Sequence, residues 1–296
     1  MEEERIPERH TFFIGVGNQK GGVAKTTNTV HIATALGEMG YHCLILDCDS
    51  NAGATRHFNI PVDSFAGIFE ILIGDEEPND LVLQNGDGDI ELPPNVFIIP
   101  GRRKLEKVDD ALGKFQSKHE LLRAPLEKLR GKYDYVFVDT GPQAPTPVIA
   151  TYMAVDWFLL SVRPESFAIQ GLKDALTDIA DAQEHGNPTL QLLGVVMSGV
   201  DRRTTLSKRL TEYVEKLFLV DGSASAKFAT IISHSTVIPR AQEVGKTVFQ
   251  TEPDHRVTQQ YRELALEIQT RLKLLTGVGP ETVATSADSE GKVANG

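Results

Sequence analysis

Residues 12–38 constrain the fold of this chain more than any other stretch. Phe12-Phe13-Ile14-Gly15-Val16 is a continuous apolar run, the pattern of a strand buried on both faces. Gln19-Lys20-Gly21-Gly22-Val23-Ala24-Lys25-Thr26-Thr27 follows, and a helical pattern then runs to Glu38. A strand that turns through glycines into a helix aims backbone N–H groups and the positive helix end at one spot. That spot suits a phosphate. Lys25 has the reach and charge for β- and γ-phosphates, and the Thr26 hydroxyl is placed to hold Mg²⁺. Gly21, Gly22, Val23, Ala24, Lys25, Thr26 and Thr27 are therefore the expected cradle.

The rest of the chain alternates in the same way. Strand patterns lie at 12–17, 42–47, 96–100, 134–139, 157–162 and 191–198, and helical patterns at 26–39, 65–73, 116–130, 145–154, 168–184, 204–218 and 256–275. Several strands are continuous apolar runs rather than alternating ones. Repeated strand-then-helix order predicts a single doubly wound, mostly parallel α/β sheet with helices on both faces. The expected organisation is a leader at 1–10, one domain at 11–276 and a disordered tail at 277–296, which is rich in Gly, Ser, Thr, Ala and Glu.

Composition narrows the setting. The 296 residues are 41% hydrophobic and 24% charged, ordinary values for a globular protein. No apolar run approaches the roughly 20 residues that span a bilayer. Met1-Glu2-Glu3-Glu4-Arg5 is acidic, unlike a secretory signal or transit peptide. Cys43 and Cys48 lie on or just after one strand pattern, where neither a bridge nor a metal site is expected. A reduced, cytoplasmic protein is the simple reading. The net charge of −11 argues against a uniformly basic surface. Residues 200–246 nevertheless carry eight Lys or Arg against five Asp or Glu.

Carboxylates close two of the strand patterns. Asp47 ends one, with Asp49 two residues later, and Asp139 ends Tyr135-Val136-Phe137-Val138. Ligands in such sheets sit beyond the carboxyl ends of the strands. An Asp after four apolar strand residues is the Walker B pattern, whose carboxylate would hold Mg²⁺ beside Thr26. For Asp47 and Asp49 the residues alone also permit a polar loop with a helix cap.

The strict P-loop pattern G-x-x-x-x-G-K-[ST] is not matched, because Gln19 and Ala24 occupy its glycine positions. A second lysine, Lys20, stands directly before Gly21-Gly22 instead. That arrangement resembles the deviant Walker A box of the ParA/MinD ATPase superfamily. Asp47-Cys48-Asp49-Ser50-Asn51-Ala52-Gly53-Ala54-Thr55 resembles its Asp-x-Asp-Pro-Gln-x-x-x-Thr switch. Further similarity runs from about 12 to 275, through Ser161 to Leu172, Leu193 to Thr204 and Gly245-Lys246-Thr247-Val248. The resemblance implies an ATPase that uses ATP and Mg²⁺. Lys20, Lys25 and Asp49 would be its catalytic residues, with Asp49 positioning the attacking water. Asp47 would support the Mg²⁺ held by Thr26 and Asp139. Ser233 and His234 would lie at the adenine edge. The absence of an Asn-Lys-x-Asp segment favours ATP over GTP. Lys20 would reach a partner's phosphates, so that ATP binding makes a homodimer. Ser50-Asn51, Thr140-Gly141-Pro142, Ser233-His234 and Ala24 depart from the family pattern.

Within the superfamily the chain resembles the short, Soj-like type. The implied function is positioning or segregation of a plasmid, chromosome or other cargo on the nucleoid. Non-specific DNA and a ParB-like or adaptor protein would be the partners. Arg202, Arg203, Lys208, Arg209, Arg240 and Lys246 are the candidate DNA contacts, and a solvated helix face with pairs such as Glu212–Lys216 is the alternative. Three further readings stay open: a nucleotide-binding scaffold with little turnover, a MinD-like or cargo-positioning ATPase that acts without DNA, and an ATP-driven maturation enzyme. Membrane anchoring is not expected, because Arg271-Leu272-Lys273-Leu274-Leu275 is brief and runs into a polar tail.

Overall fold

The structure, a computed structural model, describes residues 9–112, 120–142, 145–165, 168–218 and 226–278. Its strands are β1 (Phe12–Gly17), β2 (Cys43–Cys48), β3 (Val96–Ile99), β4 (Tyr135–Thr140), β5 (Trp157–Val162), β6 (Gln191–Val200) and β7 (Lys227–Ser233). They form one seven-stranded sheet in the order β3-β2-β4-β1-β5-β6-β7. Every neighbouring pair is parallel. The sheet is therefore wholly rather than mostly parallel, with one isolated antiparallel bridge between Leu83 and Ile98.

The helices are α1 (Lys25–Glu38), α2 (Gly53–His57), α3 (Ile68–Ile73), α4 (Val108–Leu112), α5 (Arg123–Glu127), α6 (Pro145–Ala154), α7 (Ala168–His185), α8 (Thr205–Phe218), α9 (Val237–Glu243), α10 (Val248–Thr251) and α11 (Arg256–Thr276). Two apolar layers sandwich the sheet. One joins α1, α9, α10 and α11 to side chains such as Ile14 and Ile45. The other joins α3 to α8 to Phe13, Leu44 and Val138. Adjacent residues Phe13 and Ile14 thus serve opposite layers, which is why the strand reads as one unbroken apolar run.

Three differences from the sequence expectation have local causes. β7 was not expected because it is an edge strand with only three of its seven residues buried, so it has neither a continuous nor an alternating apolar pattern. The expected helix at 116–130 is reduced to Arg123–Glu127 among the described residues, with 113–119 outside them. Pro125 cannot donate a helical hydrogen bond and is tolerated only in a first turn, so no helix runs through it from further upstream. The helix expected from 65 starts at Ile68, after Gly67, whose N–H donates to Glu70 Oε2 at 2.9 Å. The leader and tail fall largely outside the described residues. Arg9, within the expected leader, pairs with Asp134 at 2.7 Å.

The carboxyl ends of β1, β2 and β4 meet at the centre of the sheet, and β4 lies between the other two. In that register Asp47 on β2 stands directly beside Asp139 on β4.

Candidate nucleotide site

The turn after β1 enters α1 through two residues in the left-handed region, Gly22 at φ 75° and Ala24 at φ 70°. Glycine takes that conformation freely, whereas alanine pays roughly 1 kcal/mol. Ala24 keeps the conformation the position demands while its sequence departs from the family's glycine. The turn lines a cavity of about 370 Å³ with Gly21, Gly22, Ala24, Lys25, Thr26, Thr27, Asp49 and Asn51. Lys25 is buried at 6% exposure, and its ammonium donates to the Lys20 carbonyl at 2.9 Å. Burial lowers its pKa, opposed by the charges of Asp139 and Asp49. Lys20 pairs with Glu165 at 3.2 Å and stays partly exposed.

The carboxylates are held from several directions. Thr26 Oγ1 donates to Asp139 Oδ2 at 2.7 Å, and Thr29 Oγ1 to Oδ1 at 3.0 Å. Asp47 Oδ2 accepts from the Thr55 N–H and hydroxyl at 2.8 and 2.7 Å. Asp49 Oδ1 accepts from both nitrogens of Asn51 at 2.9 and 3.1 Å. Desolvation pushes both buried acids up, Asp139 to about 8 with Asp47's charge as the next cause, and Asp47 to about 6. A site that strains two carboxylates in this way is relieved by a cation. The hard oxygens of Thr26, Asp47 and Asp139 fit Mg²⁺. Among the described residues no group of three or more His, Cys, Asp or Glu is placed to hold a metal ion.

Two departures in the sequence acquire physical content here. A Cβ on Gly141 would run into the Asp49 carboxylate, so glycine lets the β4 exit turn close on the segment after β2. Ser50 is buried, and its Oγ has no hydrogen-bond partner.

Ser233 and His234 line a neighbouring cavity of about 250 Å³ that also includes Ala24, Thr27, Arg163, Ser198, Gly199 and Tyr261. Ser233 is already engaged: its N–H donates to Gln260 Oε1 at 2.9 Å, and its hydroxyl accepts from Gln260 Nε2 at 3.0 Å. His234 is exposed. Against this second cavity lies a network that the sequence did not reveal. Asn28, fully buried on α1, donates to the hydroxyls of Ser161 and Ser198 at 2.9 Å. Asn28 Oδ1 accepts from Tyr261 at 3.0 Å. These four residues come from α1, β5, β6 and α11, and no local spacing links them.

The six basic candidates do not gather on one helix. Lys208 and Arg209 are exposed on α8, whose buried Leu210 and Val214 join the layer of α7. Arg240 lies on α9, whose Val237 and Ala241 join the opposite layer. Arg202 and Arg203 are exposed before α8, and Arg203 pairs with Asp201 at 2.8 Å. Lys246 stands 3.8 Å from Glu91.

Known proteins share this architecture. A family model described as an AAA domain matches residues 11–192. The sporulation initiation inhibitor protein Soj of Bacillus subtilis is 28% identical over 256 residues, covering 86% of this chain and 97% of that protein. The chromosome partitioning protein ParA of Caulobacter vibrioides is 28% identical over 261 residues, covering 87% of this chain and 94% of that one. The crystal structure of cobyrinic acid a,c-diamide synthase from Mycobacterium smegmatis, with an ATP analogue and magnesium bound, aligns at a TM-score of 0.74 and 25% identity. It covers 93% of this chain and 100% of that one.

Proposed function

Because the chain belongs to the AAA domain family through residues 11–192, we propose that it is a ParA-type, Mg²⁺-dependent ATPase that positions or segregates a cargo. One observation carries the reading. A glycine turn with a buried lysine, Lys25, faces Thr26 and the three carboxylates Asp47, Asp49 and Asp139 at the carboxyl ends of adjacent parallel strands. Residues 11–276 act as one ATPase domain in this reading.

The residues divide the work. Gly21, Gly22 and the N–H groups that open α1 hold the phosphates, and Lys25 leaves the Lys20 carbonyl to neutralise them. Thr26, Asp139 and Asp47 hold Mg²⁺, which when bound offsets the phosphate charge. Asp49 orients the water for attack. Phosphoryl transfer depends mainly on such positioning and charge neutralisation. Lys20 reaches across to a second copy, so ATP binding is also dimerisation. The dimer binds DNA without sequence preference through Arg202, Arg203, Lys208, Arg209, Arg240 and Lys246. A ParB-like or cargo adaptor protein stimulates hydrolysis, and the protein works in the cytoplasm on the nucleoid. Among the described residues no helix is long and apolar enough to cross a membrane. Both cysteines are buried with their thiols pushed well above the ordinary range, so neither offers an activated nucleophile.

A scaffold with little turnover is the second reading. It is favoured by Asp49, whose Oδ1 is already occupied by both Asn51 nitrogens. Light scattering with ADP and with ATP, on the natural chain and on Lys20→Ala, tests the main reading. An ATP-specific dimer lost in the variant is expected, and a mass that ignores nucleotide overturns the switch. Phosphate release in the presence of DNA separates enzyme from scaffold.

A further inference from the structure

The sheet places a cation at the seam between the two cavities. Arg163 follows β5 directly and lines both the phosphate-side and the base-side cavity, as do only Ala24 and Thr27 among the described residues. Lys25, Thr26 and Asp49 belong to the first cavity alone, and Ser233 and His234 to the second alone. A nucleotide that spans the two must pass the seam with its ribose and α-phosphate.

The guanidinium is held in place loosely. Its Nη1 donates to the Gly22 carbonyl at 3.2 Å, and its Nε stands 3.5 Å from Glu165 Oε1. Glu165 Oε2 pairs with Lys20 at 3.2 Å, so one carboxylate restrains the cations on both sides of the glycine turn. The side chain is 34% exposed, and one hydrogen bond with one long ion pair leaves much of its five-donor fork unspent. Space for it is built into the backbone. Gly199 sits at φ 64°, and a Cβ there would stand 2.8 Å from Arg163 Nε. A left-handed glycine that clears room for a partly exposed arginine, pointed at a phosphate-binding turn, is an arrangement in search of an anion.

We propose that Arg163 is a nucleotide-binding residue that takes the α-phosphate of a bound nucleoside di- or triphosphate, exchanging the Gly22 carbonyl and Glu165 for phosphate oxygens. The proposal rests on the nucleotide-binding reading above. A planar fork suits two phosphate oxygens better than the single charge of a lysine does. Because the α-phosphate is common to AMP, ADP and ATP, the arginine contributes to all three alike. It does not report on the γ-phosphate.

Titration calorimetry of the natural chain, Arg163→Gln and Arg163→Lys with AMP, ADP and a non-hydrolysable ATP analogue, each with Mg²⁺, tests this. Arg163→Gln should weaken all three by a similar factor, about 10- to 100-fold, with the melting temperature of the free protein unchanged. Arg163→Lys should fall between. Equal affinities in Arg163→Gln and the natural chain overturn the role of Arg163. A loss confined to the ATP analogue overturns the α-phosphate assignment. A natural chain that binds none of the nucleotides sinks the underlying reading instead.

Discussion

The cavity at the glycine turn, proposed to take phosphates, and the cavity at Ser233 and His234, proposed to take the base, are built on different principles. At the glycine turn the candidate groups are buried and over-determined. Lys25, Asp47, Asp49 and Asp139 are each less than a tenth exposed. Thr26, Thr29 and Thr55 fix both neighbouring strand-end acids. At the second cavity Ser233 engages Gln260 through its N–H and hydroxyl, and His234, just after the edge strand, is exposed. One end has preorganised charge, whereas the other offers mainly shape. The lesson is that affinity should be concentrated in the first and tolerance in the second.

Lys25→Ala should break the contrast most severely. A buried cation facing phosphates makes charge-assisted hydrogen bonds worth about 1.5–3 kcal/mol each, so ADP affinity should fall by roughly 100-fold or more in calorimetry. A loss below about threefold would mean that phosphates are not read at this end.

Asp139→Asn sharpens it next, through pH. The folded carboxyl is raised from an ordinary 3.8 to about 8, so its contribution to stability is complete below 3.8 and is lost as pH rises through 8. The amide variant escapes that loss. Nucleotide-free Asp139→Asn should melt a few degrees higher than the natural chain, about 5 °C at pH 9, with the gap closing towards pH 4. Its Mg²⁺-dependent nucleotide binding should fall at the same time. Equal melting curves at pH 9 would show that Asp139 carries no electrostatic strain. Stability sacrificed for a site is the expected mark of the preorganised end.

His234→Ala should have the smallest effect. An exposed side chain at a cavity mouth contributes little, so ADP affinity should change by less than about threefold. A tenfold loss in the same titration would erase the contrast between the ends.

The two ends also differ in how far the sequence disclosed them. Gly21, Gly22, Lys25 and Thr26 fall in one short turn, and Asp139 follows an apolar run, so local pattern was enough to single them out as candidates. The six expected strands come from the same source. The edge strand β7 was not visible, because incomplete burial removes the apolar pattern that marks a buried strand. The four short helices α2, α4, α9 and α10 span four to seven residues each, too few for helical periodicity to stand out. Arg163 was quoted only as part of a similar segment. Nothing in Val162-Arg163-Pro164 indicates that the chain will carry its guanidinium 141 positions back to the Gly22 carbonyl.

The sequence by itself determined the parallel α/β class, the glycine turn that joins β1 to α1, and which acids close the strands. These follow from short-range rules: the 2.0 and 3.6 periodicities, glycine's backbone freedom and the position of an acid after an apolar run. Tertiary structure alone decided that β4 falls between β1 and β2, which sets Asp47 beside Asp139. It also joined Asn28 to Ser161, Ser198 and Tyr261, and put the α8 and α9 cations on opposite layers. Strand order and helix packing arise from the burial of both sheet faces at once. That free energy is summed over the whole core, and no segment of the chain carries it alone.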